Sequence, residues 1–170
     1  MDRKVLEFNG SFFEQEIVKS LYEQFSDECI VIHNKELYSD FLGKNTQIDV
    51  ILLHKHGAYV IEAKNWKHWI KGSYADFYWA GKSAQKDVMR VISPINQNFL
   101  HVRALKNAIR KKGIQPLAFS SVICVPDGTD ILSDCSELCN FSLLPYYVEK
   151  NFDNNICLDL KAWGDIIMQL

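Results

Sequence analysis

Two short apolar runs, Ile48 to His54 and Ala58 to Ala63, flank the segment Lys55-His56-Gly57, and they constrain this chain more than any other feature. Both are rich in β-branched residues and of strand length, so they read as a tight β-hairpin. A two-residue Lys55-His56 loop sets His54 opposite Gly57 and Asp49 opposite Glu62. Side chains two apart on a strand share a face, so Glu62 and Lys64 project together. Asp49, Glu62 and Lys64 then form one polar cluster on an otherwise apolar hairpin, and a one-residue slip in register would dissolve it.

The flanking segments supply the rest of the expected fold. Ile17, Val18, Leu21, Tyr22 and Phe25 recur at helical spacing behind Ser11 and Glu14, a serine-x-x-glutamate capping box, which predicts a helix over about 11–25. Cys29–His33, Trp69–Ser73, Asp76–Ala80 and Leu117–Val125 read as strands. Ser93-Pro94 opens a second long helix that Gly113 closes after Arg110-Lys111-Lys112. Toward the end, Phe141–Val148 reads as a strand and Leu158–Leu170 as a short helix. The sum is an α/β (α+β) fold, a mixed central β-sheet flanked by helices. With no repeat and no Pro/Gly-rich linker, 1–170 is expected to be a single domain, within the roughly 100–200 residues usual for one.

The formal net charge is −2, which argues against a nucleic-acid partner until it is resolved by segment. Residues 61–113 carry eleven Lys and Arg against three acids, a balance of +8, whereas 1–60 stand at −4 and 114–170 at −6. A phosphate-facing middle flanked by acidic segments fits this pattern, as does a solvated charged face. No run approaches the roughly 18 apolar residues of a membrane span and no signal-peptide core follows Met1, so a soluble, cytoplasmic chain without a membrane partner is expected. The five cysteines form no CxxC pair and read as reduced thiols.

Two carboxylates opposed on neighbouring strands repel unless something neutralises them. Hard oxygen donors of this kind suit Mg²⁺ or Mn²⁺, which keep several waters and bind substrate phosphates. A lysine beside them can orient or deprotonate the attacking water and offset transition-state charge. The bland alternative is a cross-strand ion pair of little worth.

Thr46-Gln47-Ile48-Asp49, Ile61-Glu62-Ala63-Lys64-Asn65-Trp66 and Ser93-Pro94-Ile95-Asn96-Gln97-Asn98, in that order behind the helical Glu14, resemble the NERD (nuclease-related) domain, a branch of the PD-(D/E)xK phosphodiesterase superfamily. The resemblance spans about Gly10 to Val125, leaving 126–170 as a C-terminal extension packed on the core. It implies a restriction-endonuclease-like core, with Asp49 and Glu62 as metal ligands, the Ala63 carbonyl as a backbone ligand and Lys64 as the catalytic lysine. Gln97 resembles the glutamine that RecB-like nucleases place beside their metal. The chain departs from the family pattern in carrying Phe13-Glu14 for a Gly-Glu pair and Ser93-Pro94 for Asn-Pro.

Glu14 lies three, four and seven positions before Ile17, Val18 and Leu21, on the buried stripe, where it serves as an assisting metal ligand or as a helix cap. Gln97, His101, Ala104 and Ala108 line a stripe of the later helix beside its large apolar residues, so Gln97 faces protein. Lys67, Lys71, Arg103 and Lys106 are the candidate nucleic-acid contacts within the basic segment. The aromatics Trp66, Trp69, Tyr74, Phe77, Tyr78 and Trp79 could stack on bases, but alternating rings in strands are more often core, and core is the expectation. The reading is a Mg²⁺- or Mn²⁺-dependent nuclease acting on DNA. The alternative is a non-catalytic nucleic-acid-binding or protein-interaction domain on the same fold, and a homo-oligomer or a larger DNA-processing complex would suit either.

Overall fold

A computed structural model of the chain describes residues 11–66, 68–82 and 88–170. Helix α1 (Phe12–Phe25) begins at Ser11, whose Oγ caps it by accepting from the Glu14 amide at 3.3 Å and donates to Glu14 Oε1 at 2.7 Å, so the glutamate of the expected box bonds the serine hydroxyl. Strands β1 (Cys29–Ser39), β2 (Lys44–His54) and β3 (Gly57–Ala63) then form an antiparallel meander. The Lys55-His56 loop gives the anticipated register from His54–Gly57 to Val50–Ile61, but Asp49 and Glu62, expected to oppose each other, form no ladder pair. Next come β4 (Trp69–Lys71), β5 (Tyr78–Lys82) and β6 (Met89–Ile92), and then α2 (Pro94–Lys111). That helix starts on the Ser93 cap with proline in its first turn and ends at Gly113, whose φ of 75° is one glycine adopts freely. Strand β7 (Phe119–Val125), the short β8 (Asp130–Leu132) and β9 (Leu138–Asn140), and helices α3 (Leu144–Lys150) and α4 (Leu160–Met168) complete the order.

The principal sheet has the order β1-β2-β3-β7-β9 and is mixed, because β7 runs parallel to both β3 and β9. Strands β2 and β3 are apolar on both faces and helices cover both. Ile17 and Leu21 of α1 pack with Val50, Leu52, Tyr59 and Ile61, and Leu144 and Val148 of α3 join them. Leu105 and Ile109 of α2 pack with Ile51, Leu53 and Val60 on the other face, where Ile167 of α4 also lies. Asn98 fastens α2 across the sheet, its Nδ2 donating to the Val60 carbonyl at 2.8 Å and to Ser121 Oγ at 2.8 Å.

A second mixed sheet, in the order β6-β5-β4-β8, packs Ile70 and Trp79 against Trp66 and Cys135. Glycine is needed here for close approach: a Cβ at Gly81 would fall 1.8 Å from the Trp66 ring. The aromatic segment therefore divides. Trp66 and Trp79 are core, whereas Tyr74, Phe77 and Tyr78 are exposed, against the expectation that the series is buried.

Phe141–Val148 is helical rather than a strand, a short 3₁₀ turn followed by α3. Pro145 in the first turn presets the backbone, and Leu144 and Val148, four apart, bury together. Strand β1 outruns its apolar start because Lys35 to Ser39 pair with Lys44 to Ile48 despite their polarity. Among the described residues no helix is long and apolar enough to cross a membrane.

Candidate active site

The apolar pattern of the principal sheet changes phase at Asp49. Strict alternation along β2 would put Ile48 with Val50 and Leu52, yet Ile48 packs in the α2-side cluster with Ile51 and Leu53. In β1, Leu37 likewise joins Ile32, although alternation would separate them. Between these points the ladder skips a pair: His33 faces Val50 and Lys35 faces Ile48, but Asn34 and Asp49 do not pair. Asn34 sits at a φ of 51°, a left-handed conformation that asparagine tolerates better than most side chains. Pairing of β2 with β3 also stops at Val50–Ile61. Asp49 thus lies where the sheet opens, and its Oδ2 accepts from the Ala63 amide at 2.9 Å.

Glu62 and Lys64 extend from the end of β3 toward α2. Lys64 Nζ lies 2.7 Å from Glu62 Oε1 and donates to Gln97 Oε1 at 2.9 Å. His101, one turn further along α2, places Nδ1 3.1 Å from the other oxygen of Glu62, Oε2, off the line that a hydrogen bond needs. Glu62 is only 2% exposed, and burial alone would raise its pKa. The contacts with His101 and Lys64 outweigh burial and hold the carboxyl below its ordinary value.

Asp49 is tuned in the opposite direction. Burial, then the negative charge of Glu62 and to a lesser degree that of Glu14, push its pKa up to about 7, against the pull of the Ala63 amide and Lys64. The two neighbouring carboxylates are thus shifted in opposite directions, a pattern that clusters at functional sites. Glu14 holds the Ser11 hydroxyl while its charge reaches Asp49, so the capping role and the proximity to the site coexist.

The donor set is hard: carboxylate oxygens from Asp49 and Glu62 beside the main chain of Ala63. Among the described residues no three His, Cys, Asp or Glu side chains gather closely enough to cage a metal by themselves. Mg²⁺ rarely uses such a cage; one or two carboxylates, with water and substrate phosphate completing the octahedron, are its usual environment. Burial first, and then the negative charge of Glu62, raise the Asp49 pKa; a divalent cation would offset both, so the residues fit such an ion.

The candidate nucleic-acid residues are dispersed. Lys71 is exposed on β4; Arg103 is exposed on α2 with its guanidinium 4.5 Å from the Phe41 ring centroid; Lys106 is half-buried on the same helix. Lys67 lies outside the described residues. His101 has no role assigned from sequence; its only signal there is its place on the α2 stripe with Gln97.

Residues 9–126, from before α1 to just past β7, match the nuclease-related domain. The chain belongs to that family. Asp49, Glu62, Lys64, Gln97 and His101 all fall inside the matched span. An uncharacterized protein of Bacillus anthracis is 29% identical over 111 residues, which cover 65% of this chain and 51% of the relative. The chain therefore spans about half the length of the curated relative it matches.

Proposed function

We propose that this nuclease-related domain hydrolyses DNA phosphodiester bonds in a reaction that depends on Mg²⁺ or Mn²⁺. The observation that carries the reading is the fixed Lys64 ammonium, held between Glu62 and Gln97 beside a second carboxylate, Asp49, that titrates near neutrality. Asp49, Glu62 and the Ala63 carbonyl would hold the ion, with Glu14 assisting. When bound, the ion would polarise the scissile phosphate and lower the pKa of the attacking water.

The remaining steps belong to the side chains. Lys64, as an ammonium, orients the attacking water and offsets the charge that develops on the phosphoryl oxygens. Gln97 fixes the lysine, since its Oε1 accepts one of the three ammonium protons and leaves the others for Glu62 and substrate. His101 places an imidazole nitrogen 3.1 Å from Glu62 Oε2, near enough to steady that carboxylate on a small rotation. Lys67, Lys71, Arg103 and Lys106 supply cations for the phosphate backbone.

One observation favours a second reading, a non-catalytic nucleic-acid-binding or protein-interaction domain: both carboxylate oxygens of Glu62 already have cationic or imidazole neighbours. Calorimetric titration with Mn²⁺ separates the two. Saturable binding that disappears in Glu62→Ala, together with Mn²⁺-dependent nicking of plasmid DNA, supports the enzyme. Salt-sensitive DNA binding that is indifferent to metal supports the alternative.

A further inference from the structure

The second sheet is built largely from the chain that leaves the site at Lys64 and returns to it at Gln97, and the 2.9 Å contact between these two side chains closes the excursion. Its faces are unlike. Ile70, Trp79, Val91 and Ile131 turn inward against the Trp66 cluster. The alternate residues Trp69, Lys71, Tyr78, Lys82, Arg90 and Ile92 share the outer face, as the pairings Tyr78–Ile92, Ala80–Arg90, Lys71–Ala80 and Trp69–Lys82 require.

That outer face combines exposed rings with uncompensated charge. Tyr78 is 48% exposed, with the Arg90 guanidinium 4.6 Å from its ring centroid, and the 60% exposed Phe77 meets it edge-on at 4.9 Å. Among the described residues, Lys71, Lys82 and Arg90 enter no ion pair, and Asp130 is the one carboxylate on the strands of this face. On a chain of net charge −2, such a local excess of cations complements a polyanion. The rings narrow the choice, because exposed aromatics stack on unpaired bases and find no purchase on the closed stack of a duplex.

We propose that the outer face of the β6-β5-β4-β8 sheet is a docking platform for a single-stranded nucleic-acid segment. Bases stack on Tyr78 and Phe77, while Lys71, Lys82 and Arg90 hold the phosphates. The proposal rests on the nucleic-acid reading above and specifies which strand form the domain holds and where.

The test is fluorescence anisotropy of a labelled oligo(dT) and of a duplex of equal length, in EDTA so that nothing is cleaved, with the full chain, Tyr78→Ala and Lys71→Ala/Arg90→Ala. Both variants alter exposed side chains, and thermal melts check their fold. Tyr78→Ala is expected to weaken oligo(dT) binding about tenfold with an unchanged salt slope. Lys71→Ala/Arg90→Ala is expected to lower the log–log salt slope by about 1.4, roughly 0.7 per lost contact. Oligo(dT) binding at wild-type strength in both variants, no oligo(dT) binding by wild type, or losses confined to the duplex would overturn the platform. So would a dimer that Tyr78→Ala converts to monomer, which would give the face to a second copy of the chain. Mn²⁺-dependent cleavage measured in parallel keeps the two ideas apart: cleavage with platform-independent binding defeats the platform alone, and platform-dependent binding without cleavage defeats the nuclease reading alone.

Discussion

Replacing Asp49 with asparagine should stabilise the metal-free protein at alkaline pH and do progressively less as the pH falls. The folded carboxyl is pushed up to about 7 from an ordinary value of 3.8. Between those values the native state holds a proton that the unfolded chain has released, so stability declines as pH rises, and the penalty is complete above the folded pKa. Each unit is worth about 1.36 kcal/mol. From about pH 5 to about pH 8 the wild-type protein crosses two of those units, and allowing for the partial solvent access of Asp49 the loss is roughly 2–3 kcal/mol. Asparagine cannot ionise, yet its side-chain oxygen can still accept from the Ala63 amide, so its stability should lack this component. Urea unfolding of both proteins in EDTA at the two pH values reads the difference directly. A gap between variant and wild type that is the same at both pH values would refute the argument. Saturating Mn²⁺ should close most of the gap at alkaline pH, adding about 2.7 kcal/mol to the wild type at a hundredfold excess over Kd and little to the variant.

Gln97→Leu removes the acceptor that fixes Lys64 and should lower the cleavage rate by about 10- to 100-fold with the melting temperature little changed, since the loss concerns positioning. Steady-state cleavage beside a thermal melt checks both halves, and an unaltered rate would count against the positioning role. Asn98→Ala strips the amide that ties α2 to β3 and β7 and should cost about 2–3 kcal/mol by denaturant titration, because Asn98 is fully buried. A loss below about 1 kcal/mol would mean that helix packing alone holds the two elements.

Much of the scaffold was legible because local rules act there without help. The Ser11–Glu14 box and the Ser93-Pro94 start delimit both long helices, and a two-residue loop leaves the β2–β3 hairpin a single register. Strand β6 went unread although it pairs with its neighbour β5, and the other misses are tertiary. Strands β8 and β9 are three residues each and exist through parallel pairing with β4 and β7, partners distant in sequence. Leu144-Pro145-Tyr146-Tyr147-Val148 has a strand's composition and becomes helical because the sheet face offers a place to bury Leu144 and Val148 together.

At the site, Glu62 and Lys64 on one strand face followed from the pleat, and the 2.7 Å contact shows it. The opening of the ladder at Asn34 and Asp49 did not, because it rests on a change of phase shared by two strands. Nor did the approach of His101 to Glu62, which depends on how α2 lies across the sheet.

The most direct test of the central claim is a cleavage panel of linear, circular, single-stranded and branched DNA, with and without Mn²⁺, comparing wild type with Lys64→Ala. The account predicts Mn²⁺-dependent cleavage of at least one substrate by the wild type and none by a Lys64→Ala protein that melts at the wild-type temperature. Equal cleavage by the two proteins, or no cleavage of any substrate by the wild type, would contradict it.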